Sequence, residues 1–429
     1  MRKPSPAGNI PLFFGYQLLN SFILDRGIWM LFLVSRGFTL AEIGLIEAIY
    51  HTVIFLCEIP TGYLADRYGK RSSLLLSQLL GLGAALALGL GSGPAAIILG
   101  FLLGGLVGTL QSGATSALVY ESLQAQKKER LFKRMTSHLS AVALVSMGVS
   151  GSLGGMLADV NWTYVYLGKA AIHLLSFGLV CLMAEASAAA RAGGKTTETA
   201  EHKSSTLVQG VTELGFAAQI AQCFGFLKDN RPFLTLSLLG MMLHSMAWTI
   251  TFYSQLLFQS NGFSHGEIGT LNGAETWISA GLTAIAYIGE RRLGQKASIV
   301  ISAAGFTAFL IMLSATGKPL PLVSAFLMLS VFISYLEPLL ESYLNELVPS
   351  SMRATMLSVF NMMISCGMIV TFWTIGALAD RSGVSAAIQS VLIFWIPLLL
   401  VVTLWCLRHL HHGAGTETAA DGTEADSRG

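Results

Sequence analysis

The sequence predicts an all-α membrane protein with twelve transmembrane helices, arranged as two pseudo-symmetric six-helix bundles. Of the 429 residues, 53% are hydrophobic and only 12% are charged. Long apolar runs recur along the chain, and short motifs of the first half return in the second. Soluble proteins carry about 25% charged residues, so this composition excludes a soluble enzyme, a disordered chain and a nucleic-acid binder.

The apolar runs give the predicted helices. A hydrocarbon core about 30 Å thick needs about 20 apolar residues per helix. The first group lies at 9–34, 40–65, 72–92, 94–122, 134–158 and 161–184. The second group lies at 231–258, 266–290, 297–316, 319–346, 353–379 and 385–408. The first run is too long and too polar for a cleavable signal sequence.

The same runs predict four parts of the chain. Residues 1–184 form the N-terminal six-helix bundle and residues 231–410 the C-terminal one. Between them, 185–230 is predicted to be a cytoplasmic linker, in which 206–228 form an amphipathic helix along the membrane surface. Residues 411–429 are polar and are expected to be a disordered cytoplasmic tail.

The positions of the basic residues predict the orientation. Of the 26 Lys and Arg residues, only Arg36, Lys318 and Arg381 fall in outer segments if the N-terminus is cytoplasmic. Arg26 and Lys169 fall inside spans, and the others lie in inner segments. By the positive-inside rule, we expect a multi-pass protein of the inner (cytoplasmic) membrane with both termini in the cytoplasm.

An internal repeat supports the two bundles. Residues 37–44 and 262–269 are identical at five of eight positions, at an offset of 225. Residues 155–159 and 376–380 also match, at a similar offset. Two halves with the same orientation form a parallel repeat, which places a central site between them near the membrane midplane.

One short loop carries a recognisable pattern. Between the second and third predicted helices, the sequence has the spacing G-x-x-x-D-R-x-G-[RK]-[RK]. Glycine at the loop allows a tight turn, and the acid can cap a neighbouring helix or pair with a base. The residues of this signature loop are Gly62, Asp66, Arg67, Gly69, Lys70 and Arg71.

This pattern resembles the signature of the major facilitator superfamily, and the twelve-helix plan and the repeat extend the resemblance over the whole chain. It implies the fold of that family and alternating access, with the signature loop as a conformational gate on the cytoplasmic side. Glu58, beside Pro60, is expected to brace this loop. In the second half the signature is reduced to 291–296, with Arg291 where the acid belongs.

Ionisable groups inside spans are costly and are functional candidates. In the first span, Gln17, Asn20, Ser21 and Asp25 follow helical spacing and predict a polar stripe that lines a cavity. Asp25 is interpreted as a coupling residue or, alternatively, as part of a structural ion pair. Arg26 lies on the opposite face, where it snorkels or pairs with another helix.

Two further spans supply coupling candidates. Glu47 and His51 lie at i and i+4, and imidazole can exchange protons near neutral pH; a packing role for His51 is the alternative. Glu275 is the best-placed acid of the second half. The proton-coupling candidates are Asp25, Glu275, His51 and Glu47, and the substrate-cavity candidates are Gln17, Asn20, Trp29, Gln111, His244, Trp248, Gln255, Asn272, Glu337, Asn361 and Trp373.

Catalytic motifs are missing from the sequence: it has no Walker loop, nucleophile elbow or HExxH, and its five scattered cysteines lack metal spacing. We therefore expect no enzyme, no cofactor and no metal. The main hypothesis is a monomeric secondary transporter in the lipid bilayer that couples protons to efflux of a small drug-like or amphipathic molecule. Proton-coupled nutrient uptake and a non-transporting receptor are the alternatives.

Overall fold

The computed structural model of the protein describes residues 8–185, 225–349 and 352–410. No β-strand occurs in these ranges, and the predicted all-α class is confirmed. Most of the predicted linker and its amphipathic helix, and the tail from His411, lie outside the described residues. Residues 225–229 of that segment are helical.

The first half contains eight α-helices among the described residues, because two predicted spans are interrupted. Their bounds are α1 Asn9–Asn20, α2 Trp29–Ser35, α3 Leu40–Tyr68, α4 Lys70–Leu90, α5 Pro94–Gln111, α6 Ala114–Gln124, α7 Phe132–Val160 and α8 Trp162–Leu182. A 3-10 turn at Glu129–Leu131 precedes α7.

The second half begins, in the described residues, just before α9. The helices are α9 Arg231–Ser260, α10 His265–Leu293, α11 Gln295–Ala315, α12 Pro319–Glu346, α13 Arg353–Ser382 and α14 Val384–His409. Their bounds lie within about four residues of the predicted spans.

Within the described ranges, ten helices are long and apolar enough to cross a membrane. The predicted spans 9–34 and 266–290 are not among them. The first is split into α1 and α2, and α10 carries Glu267, Glu275 and Glu290. The count of twelve crossings therefore stays a prediction.

The first predicted span is wrong as a single helix. α1 ends at Asn20 and α2 begins at Trp29, so residues 21–28 are not α-helical. Asp25 therefore does not continue the helical stripe of Gln17 and Asn20. The fourth span is also interrupted, at Ser112 and Gly113, where Gly113 has φ +70°.

The chain divides into two compact units. Unit 1 comprises Met1–Thr197 and Phe252–Trp277, and unit 2 comprises Glu198–Thr251 and Ile278–Gly429. In unit 1, α4 packs on α5 and α8, and α3 packs on α5. In unit 2, α11 packs on α12 and α14, and α13 packs on α14. The unit boundaries fall inside α9 and α10.

The internal repeat is visible in local geometry. Gly37 and Gly262 have φ of +86° and +87°. Each is followed by a capped helix start, formed by Thr39 and Glu42 at α3 and by Ser264 and Glu267 at α10. In both caps the hydroxyl accepts from the acid's amide while the carboxylate accepts from the cap's amide, which satisfies two helix N–H groups.

Candidate functional site

The interruption of the first span is stabilised by α7 and α9. A broken helix inside a membrane must have its freed backbone groups satisfied by other residues. On α7, the Ser146 hydroxyl donates to the Leu18 carbonyl at 2.6 Å. From α9, the Gln255 side chain accepts from Met30 N at 3.2 Å and donates to the Arg26 carbonyl at 3.5 Å.

Glycine on α7 lets the interrupted segment approach closely. A Cβ at Gly154 would lie 1.7 Å from the Leu24 carbonyl oxygen, so only glycine fits there. Gln255, predicted as a cavity residue, is fully buried, and its side chain hydrogen-bonds to the backbone of the interrupted span. Asn272 is also buried; it packs under Gly27, and its side-chain amide donates to its own helix.

The interrupted segment places two opposite charges side by side. The Asp25 carboxylate accepts two hydrogen bonds from Lys169 Nζ of α8, at 2.8 and 2.7 Å. Asp25 is buried, with 7% of its surface exposed. The interpretation of Asp25 as part of an ion pair thus has a definite partner, which sequence spacing did not identify because it lies 144 residues away.

Arg26 points to a different helix. Its guanidinium interacts electrostatically with Glu275 of α10 and lies 3.8 Å from the Met147 sulfur. Of the alternatives for Arg26, interaction with another helix is the one observed. Residues 25 and 26 therefore interact with charged groups on two different helices, Lys169 of α8 and Glu275 of α10.

A polar network extends from this interruption across unit 1. The Asn20 amide donates to Gln111 Oε1 at 3.0 Å, and Gln78 donates to Asn20 and to the Tyr16 hydroxyl at 3.3 Å. The Gln78 carbonyl also lies 2.8 Å from His173 Nδ1. Asn20 and Gln111 were predicted, but sequence reasoning missed Gln78 and His173 because each stands alone in an apolar helix.

Gln17 does not join that network among the hydrogen bonds of the described residues. Its side-chain amide donates to the Ser21 hydroxyl at 3.0 Å. The predicted stripe therefore separates into one local contact between Gln17 and Ser21, the network that contains Asn20, and the ion pair of Asp25.

Glu47 and His51 lie together, as their spacing predicts. His51 Nε2 is 3.5 Å from Glu47 Oε1, with 15% and 9% of the two side chains exposed. The Tyr50 ring packs edge-on against the imidazole. The Phe101 ring contacts both Tyr50 and Trp29, so Tyr50 joins the pair to a cluster of aromatic side chains.

The signature loop is held by an acid that the sequence did not indicate. Gly69 has φ +99° and joins α3 to α4. The Glu185 carboxylate accepts from the backbone amides of Lys70 and Arg71, at 2.9 and 3.1 Å. Negative charge at a helix N-terminus is stabilising, so Glu185 caps α4 from the end of α8. Glu185 is the first residue of the predicted cytoplasmic linker, and its side chain is bound to the start of α4.

The charged side chains of this loop also bind specific groups. Asp66 pairs with Lys70, rather than capping a neighbouring helix. The Arg71 guanidinium donates to the Val180 and Cys181 carbonyls at the end of α8, at 3.1 and 2.7 Å. Arg67 donates to Tyr63 at 3.1 Å. Gly62 lies in α3, and a Cβ there would contact nothing within 4 Å.

In the described part of the chain, the Glu58 side chain is bonded to the α5–α6 interruption and not to the signature loop. Its carboxylate accepts from the Ser112 hydroxyl at 2.7 Å, at the interruption between α5 and α6. The expectation for Glu58 was based on its closeness in sequence to the loop, but α3 continues for ten residues beyond it.

In unit 2, three helices meet at His244. Its Nε2 lies 3.9 Å from Glu337 Oε1 of α12, its Nδ1 lies 2.9 Å from the Gly240 carbonyl, and its ring meets Phe360 of α13 edge-on. His244 and Glu337 were each predicted as substrate-cavity residues, but the contact between them was not predicted. Trp248, Trp373 and Asn361 are exposed on α9 and α13.

Comparison with known proteins agrees with this architecture. A B. subtilis (strain 168) protein described as the uncharacterized MFS-type transporter YxaM is 22% identical over 396 residues, which cover 91% of this chain and 94% of that protein.

Solved structures share the fold at low identity. The nucleoside transporter NupG has a TM-score of 0.71 at 15% identity, with 94% and 98% of the two chains covered. A D-xylose-proton symporter has a TM-score of 0.64 at 16% identity, with 94% of this chain and 95% of that chain covered. A POT family transporter in complex with a thioalcohol-conjugated peptide has a TM-score of 0.67 at 14% identity, with 93% of this chain and 95% of that chain covered.

The sequence profile of the Major Facilitator Superfamily matches residues 12–257 and 237–428, which together span nearly the whole chain. The signature loop, the repeated geometry and the helical architecture agree with this match. The chain is a multi-pass membrane protein that belongs to the Major Facilitator Superfamily.

Proposed function

We propose that the protein is a secondary active transporter that exports a small amphipathic organic molecule in exchange for protons, by alternating access. The observation that carries this proposal is the set of carboxylates inside the spans, each facing a cationic or titratable group. Asp25 faces Lys169, Arg26 interacts with Glu275, and Glu47 faces His51. Ion pairs within a membrane mark ion and substrate pathways.

Asp25 and Glu275 are the first candidates for carrying the coupled proton. Protonation of a carboxylate removes its attraction to the neighbouring cation, so the helices that carry the pair are freed to separate. Glu275 is on α10 and Arg26 is in the interrupted first span, so this pair links two elements that alternating access must move. Glu47 and His51, both on α3, are the second candidates, because imidazole can relay protons.

The signature loop is proposed as the conformational gate. Glu185 and Arg71 bind the start of α4 to the end of α8, which makes this end of unit 1 rigid. A rigid loop that carries Asp66 and Arg67 on its exposed side can form and break charge contacts as one body. Gly69 permits the turn, and Lys70 fixes Asp66.

Aromatic and polar side chains in each unit favour an amphipathic solute. In unit 1, Tyr50 packs against His51 and belongs to an aromatic cluster with Phe101 and Trp29, and unit 2 exposes Trp248, Trp373 and Asn361. Flat aromatic surface with a few polar groups is typical of sites for small organic molecules.

The decisive experiment measures solute flux in proteoliposomes under an imposed pH gradient. Solutes are first selected by their effect on thermal stability of the purified protein. Accumulation in vesicles with an acidic lumen supports exchange, whereas accumulation driven by an acidic exterior supports uptake by symport. Saturable binding without flux in either gradient indicates a receptor.

The matched variants test the coupling residues. We expect Asp25→Asn and Glu275→Gln each to abolish uphill flux while the protein still enters the membrane. Asp229→Asn, an exposed acid outside the spans, should behave as the wild type. Full uphill flux in both buried variants would refute the proposed coupling residues.

A further inference from the structure

We propose that His244 and Glu337 form a binding site where a proton and a monovalent organic cation with an aromatic body compete. This inference rests on the proposed function and names the solute class. Both residues lie in unit 2, more than two helical turns from either end of their helices. Such positions are inside the membrane, where an ionisable group is a functional candidate.

The hydrogen bonding of His244 leaves one nitrogen directed at the acid. A carbonyl oxygen only accepts, so Nδ1 donates its hydrogen to the Gly240 carbonyl at 2.9 Å. In the neutral ring, Nε2 then carries a lone pair. This lone pair faces Glu337 Oε1 at 3.9 Å. Two acceptors face each other unless a proton or another cation stands between them.

The charge of the pair therefore depends on a single proton. With His244 protonated, the imidazolium and the carboxylate have a net charge of zero. With His244 neutral, the site carries a charge of −1. The groups that face His244 are Glu337 from α12 and the uncharged Phe360 ring from α13, with the Gly240 carbonyl on its own helix.

The acid is accessible although its helix is a candidate span. The Glu337 side chain is 57% exposed, whereas that of His244 is 6% exposed. A carboxylate on lipid would be strongly unfavourable, so we infer that this one faces a water-filled cavity. Exposure also allows a solute to reach the carboxylate.

The surroundings do not supply a permanent counter-charge. In the described part of unit 2, each Lys and Arg lies at a helix end or between helices: Lys228, Arg231, Arg291, Arg292, Lys296, Lys318, Arg353, Arg381 and Arg408. The membrane interior of the described unit is thus negative when His244 is neutral, which favours a cationic solute.

Two further features support the site: an exposed aromatic ring for the apolar part of the solute, and a proline in α12 beside the acid. Trp248 lies one turn along α9 from His244 and is 37% exposed, and aromatic faces attract organic cations. Pro338 follows Glu337 and removes an N–H from α12, and the Thr283 hydroxyl donates instead to the Ser334 carbonyl at 3.2 Å. The helix therefore lacks one backbone hydrogen bond beside the carboxylate, and the freed Ser334 carbonyl is satisfied by Thr283.

The test measures binding to the purified full-length protein with two ions of the same shape and opposite charge. The probes are tetraphenylphosphonium and tetraphenylborate. We expect the cation to bind at least tenfold more tightly than the anion, and its affinity to rise as the pH is raised. Equal affinity for the two ions would overturn the proposal.

Variants separate the roles of the two residues. Glu337→Gln should weaken cation binding at least tenfold, and Glu337→Asp should retain it. His244→Gln should bind the cation with an affinity that no longer rises with pH. Glu341→Gln removes an exposed acid one turn away on α12 and should bind as the wild type.

The outcomes also separate this site from the proposed transport. Binding that follows the charge of Glu337 supports the site even if the vesicles show no flux. Wild-type cation binding by Glu337→Gln, or an equal loss in Glu341→Gln, would refute it. Retained affinity in Glu337→Asp shows that the loss in Glu337→Gln comes from charge rather than from misfolding.

Discussion

Single substitutions at the Asp25–Lys169 ion pair are expected to lower the stability of unit 1. Removing one partner of a buried pair leaves an uncompensated charge, which costs about 3–5 kcal/mol. We expect Lys169→Met to lower the melting temperature of the purified protein clearly. The double variant Asp25→Asn/Lys169→Met should recover much of that loss, as measured by thermal unfolding. Equal melting temperatures for Lys169→Met and the wild type would show that the pair is not held in the membrane.

The Glu185 side chain is predicted to stabilise the first turn of α4. Its carboxylate accepts from two backbone amides at the start of α4, and loss of a helix cap costs about 1 kcal/mol. Glu185→Ala should expose the start of α4, seen as faster amide hydrogen exchange at residues 70–73. The exposed Asp229→Ala serves as the control. Unchanged exchange in Glu185→Ala would refute the capping role.

Local residue contacts were predictable from sequence, and distant ones were not. The i and i+4 spacing of Glu47 and His51 correctly placed them together. The partners of Asp25 and Lys70 lie 144 and 115 residues away. No periodicity within one helix contains that information, because it depends on which helices pack side by side.

At the scale of elements, the α7–α10 contact depends on glycine. Backbones approach closely here: a Cβ at Gly269 would lie 2.2 Å from the Gly151 carbonyl oxygen, and one at Gly155 would lie 2.2 Å from the His265 carbonyl oxygen. Small residues at helix interfaces permit such packing in membranes. The interface ends at Asp159, which accepts from the amides of His265 and Gly266 at 2.9 Å.

This packing predicts opposite outcomes for two glycines of α10. Gly269→Ala should destabilise the protein by about 1–3 kcal/mol, because the helices must move apart. Gly281→Ala is the control, since a Cβ there contacts nothing within 4 Å. Thermal unfolding of the two variants measures the difference. If both variants melted at the same temperature, the close contact would not exist in the membrane.

Element boundaries were predicted well except at the two interruptions. Apolar periodicity located α12 at 319–346, as observed. The same reasoning missed the interruptions at 21–28 and 112–113, because the apolar residues on both sides of each interruption are consistent with a single long span. Ser146, Ser150 and Gln255 bond to the backbone around the first interruption. The chain can leave the helix there only because other elements replace its hydrogen bonds.

At the scale of the whole molecule, the two halves share local construction but differ in their charges. Gly69 and Gly294 both have positive φ, +99° and +79°, at the same point of the repeat. Asp66 has no acidic counterpart, because Arg291 occupies that position. The repeat therefore predicted the backbone conformation at this glycine of the second half correctly. It did not predict the charged side chain before it, because Arg291 replaces the acid.

The proposed alternating access requires the α7–α10 contact to open during transport, and this requirement can be tested directly. A Cβ at Gly266 would lie 3.7 Å from the Met156 Cα, close enough for Met156→Cys/Gly266→Cys to form a disulfide in a background without the native cysteines. Oxidation should abolish flux in proteoliposomes, and reduction should restore it. A control disulfide, Val53→Cys/Gly105→Cys, joins α3 to α5, where the two Cβ positions lie 3.2 Å apart. These helices belong to the same predicted bundle, so this crosslink should leave flux unchanged. Undiminished flux through the oxidised α7–α10 variant would show that this contact stays closed throughout transport.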